Sequence, residues 1–338
     1  MTGELEGRIY GCLLGGLIGD AMGAPVEGKS YKEIQSVYGL DGVTDFEGDG
    51  TDDTAIREQL VHAIFAGDGY VTCDEFAASF LLYWKQNYGK WWTPVRNMAH
   101  KIQSRVALPV DAGYGNAPSS SSAMAISPMG ILNAMNPRQA ALETFDVAGL
   151  IHSGPSGFCR DAACAMAAAV AEAFRPGTTV EVIQDAAVRY LHPASGREMI
   201  GCIDRVREMA RIYPDYPEFR DACYAGILRE EQCDSRETVP VALALFGMAG
   251  EDPARAIRYA VNFGRDADTI GTMVGGLCGA FCGVEALPPD WVQRVEANPR
   301  VGYRVITLRL AELARCRARR SLSTARLLLN ETWSDVGS

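Results

Sequence analysis

Two short acidic segments carry the residue types in this sequence that are best suited to chemistry. The first is Thr51-Asp52-Asp53, and the second, far along the chain, is Asp266-Ala267-Asp268-Thr269. Each segment offers two carboxylates and one hydroxyl, and Mg²⁺ and Mn²⁺ prefer hard oxygen ligands of this kind. The two segments therefore indicate a divalent metal site, provided that the fold brings them together.

Helix capping is the alternative interpretation of both segments. Asp and Thr are favoured at helix starts because they accept backbone N–H bonds and suit the helix dipole. One cap needs only one side chain, however, whereas each segment offers three. Four carboxylates that met in space would repel one another, and two cations about 3.5–4 Å apart would balance their charge. Neither segment continues with the ligand spacing of an EF-hand, which excludes a calcium loop of that type.

The sequence around both segments predicts helices. Apolar residues recur at helical spacing, as in Ile56, Leu60 and Ile64, and alternating strand patterns are scarce. We expect one helix to begin near Ala55 with Thr51 as its N-cap, and another to open at the second acidic segment. The fold class that follows is all-α, a compact multi-helix bundle.

Glycine recurs at every fourth residue in two of the predicted helices. The first stripe is Gly7, Gly11, Gly15, Gly19 and Gly23, and the second is Gly271, Gly275, Gly279 and Gly283. Such stripes lie on one helix face and allow another backbone to approach closely. We infer that both helices are central and buried, and packing against each other would satisfy both stripes. The alternative is that the glycines have accumulated by neutral drift in helices that are exposed and need no close packing.

Composition limits the partners and the compartment. The 338 residues carry a formal net charge of −10, which argues against a nucleic acid or an anionic membrane as the main partner. The longest apolar stretch, Ile9 to Gly19, is too short to span a bilayer. The ten cysteines show no zinc-type spacing, so we interpret them as reduced core thiols of a cytoplasmic protein. The start of the sequence, MTGELEGRIY, lacks the pattern of a secretory signal.

The longest irregular segment runs from about Leu108 to Ser122 and contains DAGYGN followed by four serines. A loop of this length inside a compact domain is usually either functional or disordered. The serines that end it could offer backbone N–H groups to a phosphate at a helix start. A flexible polar linker is the alternative interpretation.

Five segments together resemble the successive motifs of the ADP-ribosylglycohydrolase family, which includes the dinitrogenase reductase-activating glycohydrolases. They are GCLLGGLIGDAMGAPVEG, GDGTDDTAI, GYGN with the following AMAISPMGIL, IHSGPSG and GRDADTIGTMVGGLCGA. The resemblance covers roughly residues 7 to 285, in order. It implies an orthogonal all-α bundle and a dinuclear Mg²⁺ or Mn²⁺ centre that hydrolyses an N- or O-glycosidic bond to ADP-ribose or a related ribosyl group. A single domain over residues 1–338, with a C-terminal helical extension from about 300 to 338, is the corresponding expectation.

The resemblance implies a role for each matching position. The residues that match the family's metal ligands are Thr51, Asp52, Asp53, Asp266, Asp268 and Thr269. Glu27 matches a glutamate on a mobile segment over the site, although a surface carboxylate in a turn is the alternative. With Asp52, Asp53 and Asp268, it forms the expected catalytic set. Asp20 is expected to orient ligands from behind the site.

Substrate contacts are the second group that the resemblance implies. Gly115 and Asn116 match a substrate-binding loop, and Ser119 and Ser120 follow it. His152 matches a histidine near the ribose, although a lone histidine is more often structural.

Two departures from the family pattern affect substrate recognition. Met124 is followed by Ala125, where family members often have arginine. Arg265 stands beside Asp266, where the family often has glycine, and it could supply a phosphate contact in compensation.

Three functional hypotheses remain open from the sequence. The substrate is an ADP-ribosylated protein side chain or nucleic-acid end, or it is a free N-ribosyl small molecule in metabolism or natural-product biosynthesis, or the chain is a non-enzymatic ADP-ribose-binding relative. The third would be marked by a lost metal ligand, and none is lost. The expected mechanism is metal-assisted: two cations hold the ribose hydroxyls and lower the pKa of a water that attacks the anomeric carbon.

Overall fold

The computed structural model describes residues 3–298 and 302–329. These residues form eighteen α-helices and no β-strand, so the prediction of an all-α fold is confirmed. In chain order the helices are α1 Glu4–Gly23, α2 Tyr31–Tyr38, α3 Asp52–Ala66, α4 Cys73–Leu82, α5 Trp84–Asn87, α6 Thr93–Gln103, α7 Pro109–Ala112, α8 Ser127–Leu132, α9 Pro137–Gly149, α10 Gly157–Ala173, α11 Val180–Arg189, α12 Arg197–Ile212, α13 Tyr216–Gly226, α14 Ser235–Ala249, α15 Pro253–Phe263, α16 Ala267–Cys282, α17 Pro289–Glu296 and α18 Tyr303–Leu329. Short 3₁₀ helices lie at Ala24–Val26, Ser120–Ser122, Gly154–Ser156 and Val284–Ala286.

The two glycine stripes pack against each other, because α1 and α16 form the central helix pair. A methyl carbon on Gly15 would lie 2.2 Å from the carbonyl oxygen of Gly275, and one on Gly19 would lie 2.0 Å from that of Gly271. These separations are below any real van der Waals contact, so only glycine fits at these crossing points. Two stripe positions are not tight: a methyl group on Gly7 would meet no atom within 4 Å, and one on Gly283 would meet none closer than 3.8 Å.

The length of α1 corrects one sequence-based argument. Residues Glu4–Val26 have a mean hydropathy of 1.3 and are long enough and apolar enough to cross a membrane. The apolar helix is therefore longer than the stretch from Ile9 to Gly19 on which the sequence argument was based. However, 89% of the apolar window is buried inside the protein, as expected for the core helix of a bundle. The absence of a membrane partner stays a prediction.

The segment from Leu108 to Ser122 is more ordered than the sequence indicated. It contains α7 and the 3₁₀ helix Ser120–Ser122, and the four serines at its end are all buried. The interpretation of this end as a flexible polar linker is therefore wrong. Burial of so many hydroxyls requires hydrogen-bond partners, which the site below supplies.

The long helix α18 covers one side of the bundle with its first half. Tyr303, Leu310 and Leu313 are buried, whereas the helix from Arg319 onward is exposed. The predicted extension over residues 300–338 lies only partly within the described residues, because 300–301 and 330–338 fall outside them. The single-domain organisation stays a prediction. All ten cysteines lie within the described residues as free thiols.

Candidate active site

Both acidic segments begin helices, but capping explains only one of their side chains. Thr51 is the N-cap of α3, where its Oγ1 accepts a hydrogen bond from the Asp53 amide at 3.4 Å. Asp266 is the N-cap residue of α16, and its side chain accepts no capping hydrogen bond there. The remaining carboxylates of both segments therefore require another explanation.

The two helix starts face each other and are joined by reciprocal contacts. Thr51 Oγ1 lies 3.3 Å from Asp268 Oδ2, and Thr269 Oγ1 donates to Asp53 Oδ2 at 3.3 Å. Each threonine thus reaches the aspartate of the opposite helix. The close approach of α1 and α16 brings these segments together, because α3 starts beside the end of α1.

Two carboxylate oxygens at this junction have no hydrogen-bond partner. Asp53 Oδ1 and Asp268 Oδ1 are both buried, and no donor of the described residues reaches either. Buried polar atoms in native proteins are nearly always paired, so these two oxygens are candidate ligands for a bound group. Oxygens of carboxylates and hydroxyls are the ligands of Mg²⁺ and Mn²⁺, and this donor set therefore fits a divalent cation.

The carboxylates hold protons more tightly than free aspartate does. Burial, reinforced by neighbouring carboxylates, raises the pKa of Asp52 and that of Asp266 to about 7. Burial, together with the charge of Asp268, places the pKa of Asp53 well above its ordinary value, and burial with the charges of Asp266 and Glu27 does the same for Asp268. The cluster is therefore an electrostatically unfavourable arrangement that a cation would relieve.

Asp20 anchors the start of α3 from behind, as expected. Its carboxylate lies fully buried in α1 and accepts hydrogen bonds from the Thr51 amide at 2.9 Å and the Thr54 amide at 3.0 Å. The Thr54 hydroxyl donates to it as well, at 2.5 Å. Arg57, buried one turn further along α3, attracts this carboxylate electrostatically. Asp20 therefore fixes the position of the first acidic segment.

Glu27 lies on the rim of the site and shares its carboxylate cluster. One oxygen each from Glu27, Asp266 and Asp268 lie within 4.8 Å of one another. The glutamate itself is exposed, whereas the two aspartates are buried. Partial desolvation and the charge of Asp20 raise the pKa of Glu27. Its segment is tied to the start of α16, because the Gly28 amide donates to the Arg265 carbonyl at 2.8 Å.

A cavity of about 320 Å³ opens above the cluster. Of the predicted residues, Glu27, Ser120 and the four aspartates line it, together with Thr269. Ser121 and Met124, beside Ser120, line it as well. Sequence reasoning also missed five lining residues remote from these segments: Lys90, Trp92, Glu231, Gln232 and Cys233. They come from two loops without periodic pattern or motif, so no local signal identified them.

Ser120 contacts the acidic cluster directly. Its hydroxyl donates to Asp266 Oδ2 at 2.8 Å and so orients that carboxylate. Ser119 lies one layer deeper, where its Oγ accepts from the Ser121 amide at 3.3 Å and caps the 3₁₀ helix. The Ser121 amide is therefore already paired within the protein.

His152 lies behind the serine segment and does not line the cavity. It is fully buried, with Nε2 at 3.2 Å from Ser119 Oγ and Nδ1 at 2.5 Å from Ser122 Oγ. Burial lowers the pKa of His152 to about 4, so the ring is neutral at physiological pH. These contacts indicate that His152 holds the serine segment in place.

Gly115 and Asn116 also lie outside the cavity lining. The Asn116 amide donates to the carbonyls of Pro94 and Ile151, at 3.1 and 2.7 Å, and so joins the start of α6 to the segment that follows α9. Gly115 adopts a φ of 76°, which glycine tolerates best, and thereby allows the sharp turn before Asn116.

The guanidinium of Arg265 is engaged inside the protein. Its Nε donates to Glu237 Oε1 at 2.9 Å, and Nη2 donates to the Arg229 carbonyl at 2.5 Å. Glu237 is fully buried, so this ion pair forms part of the framework beneath the site. Although Arg265 is next to Asp266 in the chain, its side chain points to Glu237 and not into the cavity.

Comparison with known proteins gives a consistent result over nearly the full length. The sequence model of the family described as ADP-ribosylglycohydrolase matches residues 1–324. The chain is 25% identical to ADP-ribosylhydrolase ARH3 of Bos taurus, over 86% of this chain and 88% of that protein. It is 24% identical to the ADP-ribosyl-[dinitrogen reductase] glycohydrolase of Rhodospirillum rubrum, over 88% of this chain and 93% of that protein.

A solved structure supports the fold. The chain superposes on a structure titled ADP-ribosylglycohydrolase-related protein complex with a TM-score of 0.68 and 23% sequence identity. The superposition covers 92% of this chain and 99% of that one. At this identity the likeness establishes the shared architecture.

Proposed function

Because the chain belongs to the ADP-ribosylglycohydrolase family and is therefore a glycosidase, we propose that it hydrolyses an N- or O-glycosidic bond to ADP-ribose or a related ribosyl group with the help of two divalent cations, Mg²⁺ or Mn²⁺. The preferred substrate class is an ADP-ribosylated protein, because the name of the Rhodospirillum rubrum relative gives ADP-ribosylated dinitrogen reductase as its substrate, and ARH3 is named as an ADP-ribosylhydrolase. A cytoplasmic location is part of the same proposal.

One observation carries the metal dependence: the unpaired buried oxygens of Asp53 and Asp268 where two helix starts meet. Helix capping leaves these atoms unexplained, because capping carboxylates accept backbone N–H bonds. Thr51, Asp52, Asp266 and Thr269 surround them and complete an oxygen donor set large enough for two cations. When bound, such cations supply Lewis acidity that lowers the pKa of a coordinated water toward neutrality.

The chain's own residues position the reacting groups. Asp20 fixes the start of α3, and Ser120 fixes the Asp266 carboxylate, so that donors from two helices hold a constant separation. Constant separation matters because the ligands then need little reorganisation during the reaction. Asp53, Asp266 and Asp268 are buried, and the lower dielectric around them strengthens their interaction with positive charge.

Glu27 is the residue best placed to move a proton. Its carboxylate belongs to the cluster yet remains accessible from the cavity, unlike the buried aspartates. Its raised pKa makes it a stronger base than an ordinary glutamate, which favours uptake of a proton from an attacking water. We assign Glu27 this role and assign Asp52, Asp53 and Asp268 to cation binding.

A second candidate substrate is a free N-ribosyl small molecule of the kind found in metabolism or natural-product biosynthesis. One observation favours it: among the described lining residues, Lys90 is the sole cationic side chain, since Arg265 is paired with Glu237. A diphosphate would gain fewer charged contacts here than in a site with an exposed arginine.

A substrate screen tests the proposal and separates the two candidates. Purified protein is incubated with ADP-ribosyl-arginine and ADP-ribosyl-serine peptides, O-acetyl-ADP-ribose, and N-ribosyl compounds without a diphosphate, each with Mg²⁺, Mn²⁺ or excess chelator. Release of ADP-ribose only with a divalent cation supports the main proposal, and turnover of the N-ribosyl compounds alone supports the second. Equal turnover with metal and in chelator would contradict the metal dependence.

A further inference from the structure

A second polar cavity, of about 380 Å³, lies outside the candidate active site and is rich in arginine. We call it the arginine cavity, and its charged lining residues are Arg197, Arg205, Arg229, Arg236 and Glu198. Four cations against one anion are unusual in a chain with a net charge of −10. This concentration of positive charge is not explained by the glycosidase site.

The geometry of α12 directs two of these arginines to the same face. Arg197, Gly201 and Arg205 follow one another at intervals of four residues, which places them along one side of the helix. Gly201 lines the cavity between them, and a methyl carbon there would meet no atom within 4 Å. The space between the two arginines is therefore open.

Three of the four guanidinium groups have no acidic partner. Arg236 is neutralised by Asp234 at 2.5 Å and by Glu198 at 2.8 Å. No carboxylate oxygen of the described residues lies within 4.0 Å of a guanidinium nitrogen of Arg197, Arg205 or Arg229. Like charges held together without a counter-charge repel, so the cavity is complementary to an anion.

We propose that the arginine cavity binds a small phosphate-bearing anion at a site separate from the glycosidase centre. The guanidinium fork matches phosphate oxygens bidentately, and a phosphate dianion presents enough acceptors for several arginines at once. A single carboxylate engages one fork only. The four arginines line one solvent-accessible cavity instead of following an extended stripe, which suits a small molecule better than a nucleic-acid backbone.

The arginine cavity and the active site share one loop. Arg229 lines the arginine cavity, and its carbonyl oxygen accepts the hydrogen bond from Arg265, the residue before Asp266. Glu231 and Gln232, only a few residues further on, line the catalytic cavity. An anion held by Arg229 thus contacts the segment that forms one wall of the active site, although the binding proposal does not depend on the proposed hydrolysis.

Isothermal titration with inorganic phosphate tests the site in the full-length protein with saturating Mg²⁺. The double variant Arg197→Gln/Arg205→Gln should bind phosphate at least about tenfold more weakly than the parent, since each charge-assisted hydrogen bond contributes roughly that factor. The matched control is Arg319→Gln/Arg326→Gln, which removes the same charge from exposed positions of α18 and should leave the affinity unchanged.

A second pair of variants isolates charge from bulk. Gly201→Glu introduces a carboxylate between the two arginines and should abolish phosphate binding, whereas Gly201→Gln, of the same size, should retain most of it. The proposal is overturned if the parent binds no phosphate, if the Arg197→Gln/Arg205→Gln and Gly201→Glu proteins bind it within about twofold of the parent, or if succinate binds as tightly as phosphate. None of these results bears on the glycosidase assay, so failure here is distinguishable from failure of the proposed function.

Discussion

Asp53 and Asp268 each hold one carboxylate oxygen in the interior with no donor of the described residues within reach, and this local feature supports the proposed metal site over a pair of capped helices. An ordinary N-cap aspartate, such as Asp252 at the start of α15, instead accepts a backbone amide at 3.1 Å. The chemical content of the two kinds of helix start is the same. Their difference lies in whether the carboxylate oxygens are satisfied by the backbone.

We expect Asp268→Asn, and separately Asp52→Asn, to lower kcat by about two orders of magnitude or more while the helical circular dichroism stays unchanged. Each substitution removes a charged ligand without changing the side-chain volume. Asp252→Asn is the matched control, because asparagine caps a helix equally well and should preserve full activity. Full activity in both site variants would refute the metal assignment.

Arg265 provides a second test at the residue scale. Because its guanidinium pairs with the fully buried Glu237, Arg265→Gln should lower the free energy of unfolding by about 2–3 kcal/mol. Adding Glu237→Gln should then cost less than it does alone, because the pair is already broken. Arg255→Gln, which breaks an exposed pair with Asp252, should change stability by less than about 0.5 kcal/mol. An Arg265→Gln protein of parental stability with only a raised KM would instead identify Arg265 as a phosphate contact.

At the scale of elements, the crossing of α1 and α16 sets the separation of the two acidic segments. Their glycines place backbone against backbone, and a methyl carbon on Gly275 would lie 2.1 Å from the Gly15 carbonyl oxygen. Any side chain at this level would push the helices apart. The acidic start of α16 would then move away from that of α3, so helix packing and the proposed metal binding are linked.

Two neighbouring glycines of α16 allow a matched test of this packing. Gly275→Ala should destabilise the protein by about 1–3 kcal/mol through overpacking. Gly276→Ala should be neutral or stabilising, because its nearest neighbour, the Cys12 carbonyl oxygen, would lie at an ordinary 3.6 Å and alanine favours the helix. Thermal melting of both variants checks this. Equal melting temperatures would show that the stripe is not tightly packed.

For the molecule as a whole, the acidic cluster makes stability depend on pH. Burial and neighbouring carboxylates raise the pKa of Asp52 and Asp266 from 3.8 to about 7, so the folded metal-free protein binds protons that the unfolded chain releases. Stability is then lost as the pH rises from about 4 through 7. We expect the melting temperature of chelator-treated protein to fall over this range, and saturating Mg²⁺ to reduce the fall near pH 7. A melting temperature that rises throughout this window without metal would contradict the cluster.

Metal binding should also stabilise the whole fold by mass action. A cation that binds only the folded state contributes about 2.7 kcal/mol at a hundredfold excess over its dissociation constant. Adding Mg²⁺ or Mn²⁺ to chelator-treated protein should therefore raise the melting temperature and restore hydrolysis over the same concentration range. K⁺ at matched ionic strength should have little effect, and Asp268→Asn should lose most of the shift. Identical melting of metal-free and metal-loaded protein would show that the acidic segments are only helix caps.

Local sequence determined the elements and the chemistry that they carry. Helical periodicity predicted an all-α fold, Thr51 was identified as an N-cap, and the four-residue glycine spacing indicated two buried helices. These features were readable because helix periodicity, capping and glycine spacing are properties of neighbouring residues. Asp20, which lies in the first glycine helix, was expected to orient ligands from behind the site, as acidic groups commonly do around metal ligands.

Only the tertiary structure decided which side chains meet. His152 and Asn116 hold the serine segment and the neighbouring loops, while the Arg265 guanidinium is bound by Glu237, and each of these partners is remote in sequence. Lys90 and Trp92 reach the cavity from a loop without periodicity, so no pattern along the chain marked them. The physical reason is that burial and pairing depend on three-dimensional proximity. A residue's type and spacing fix what it is able to bind, whereas the packing of distant helices fixes what lies within its reach.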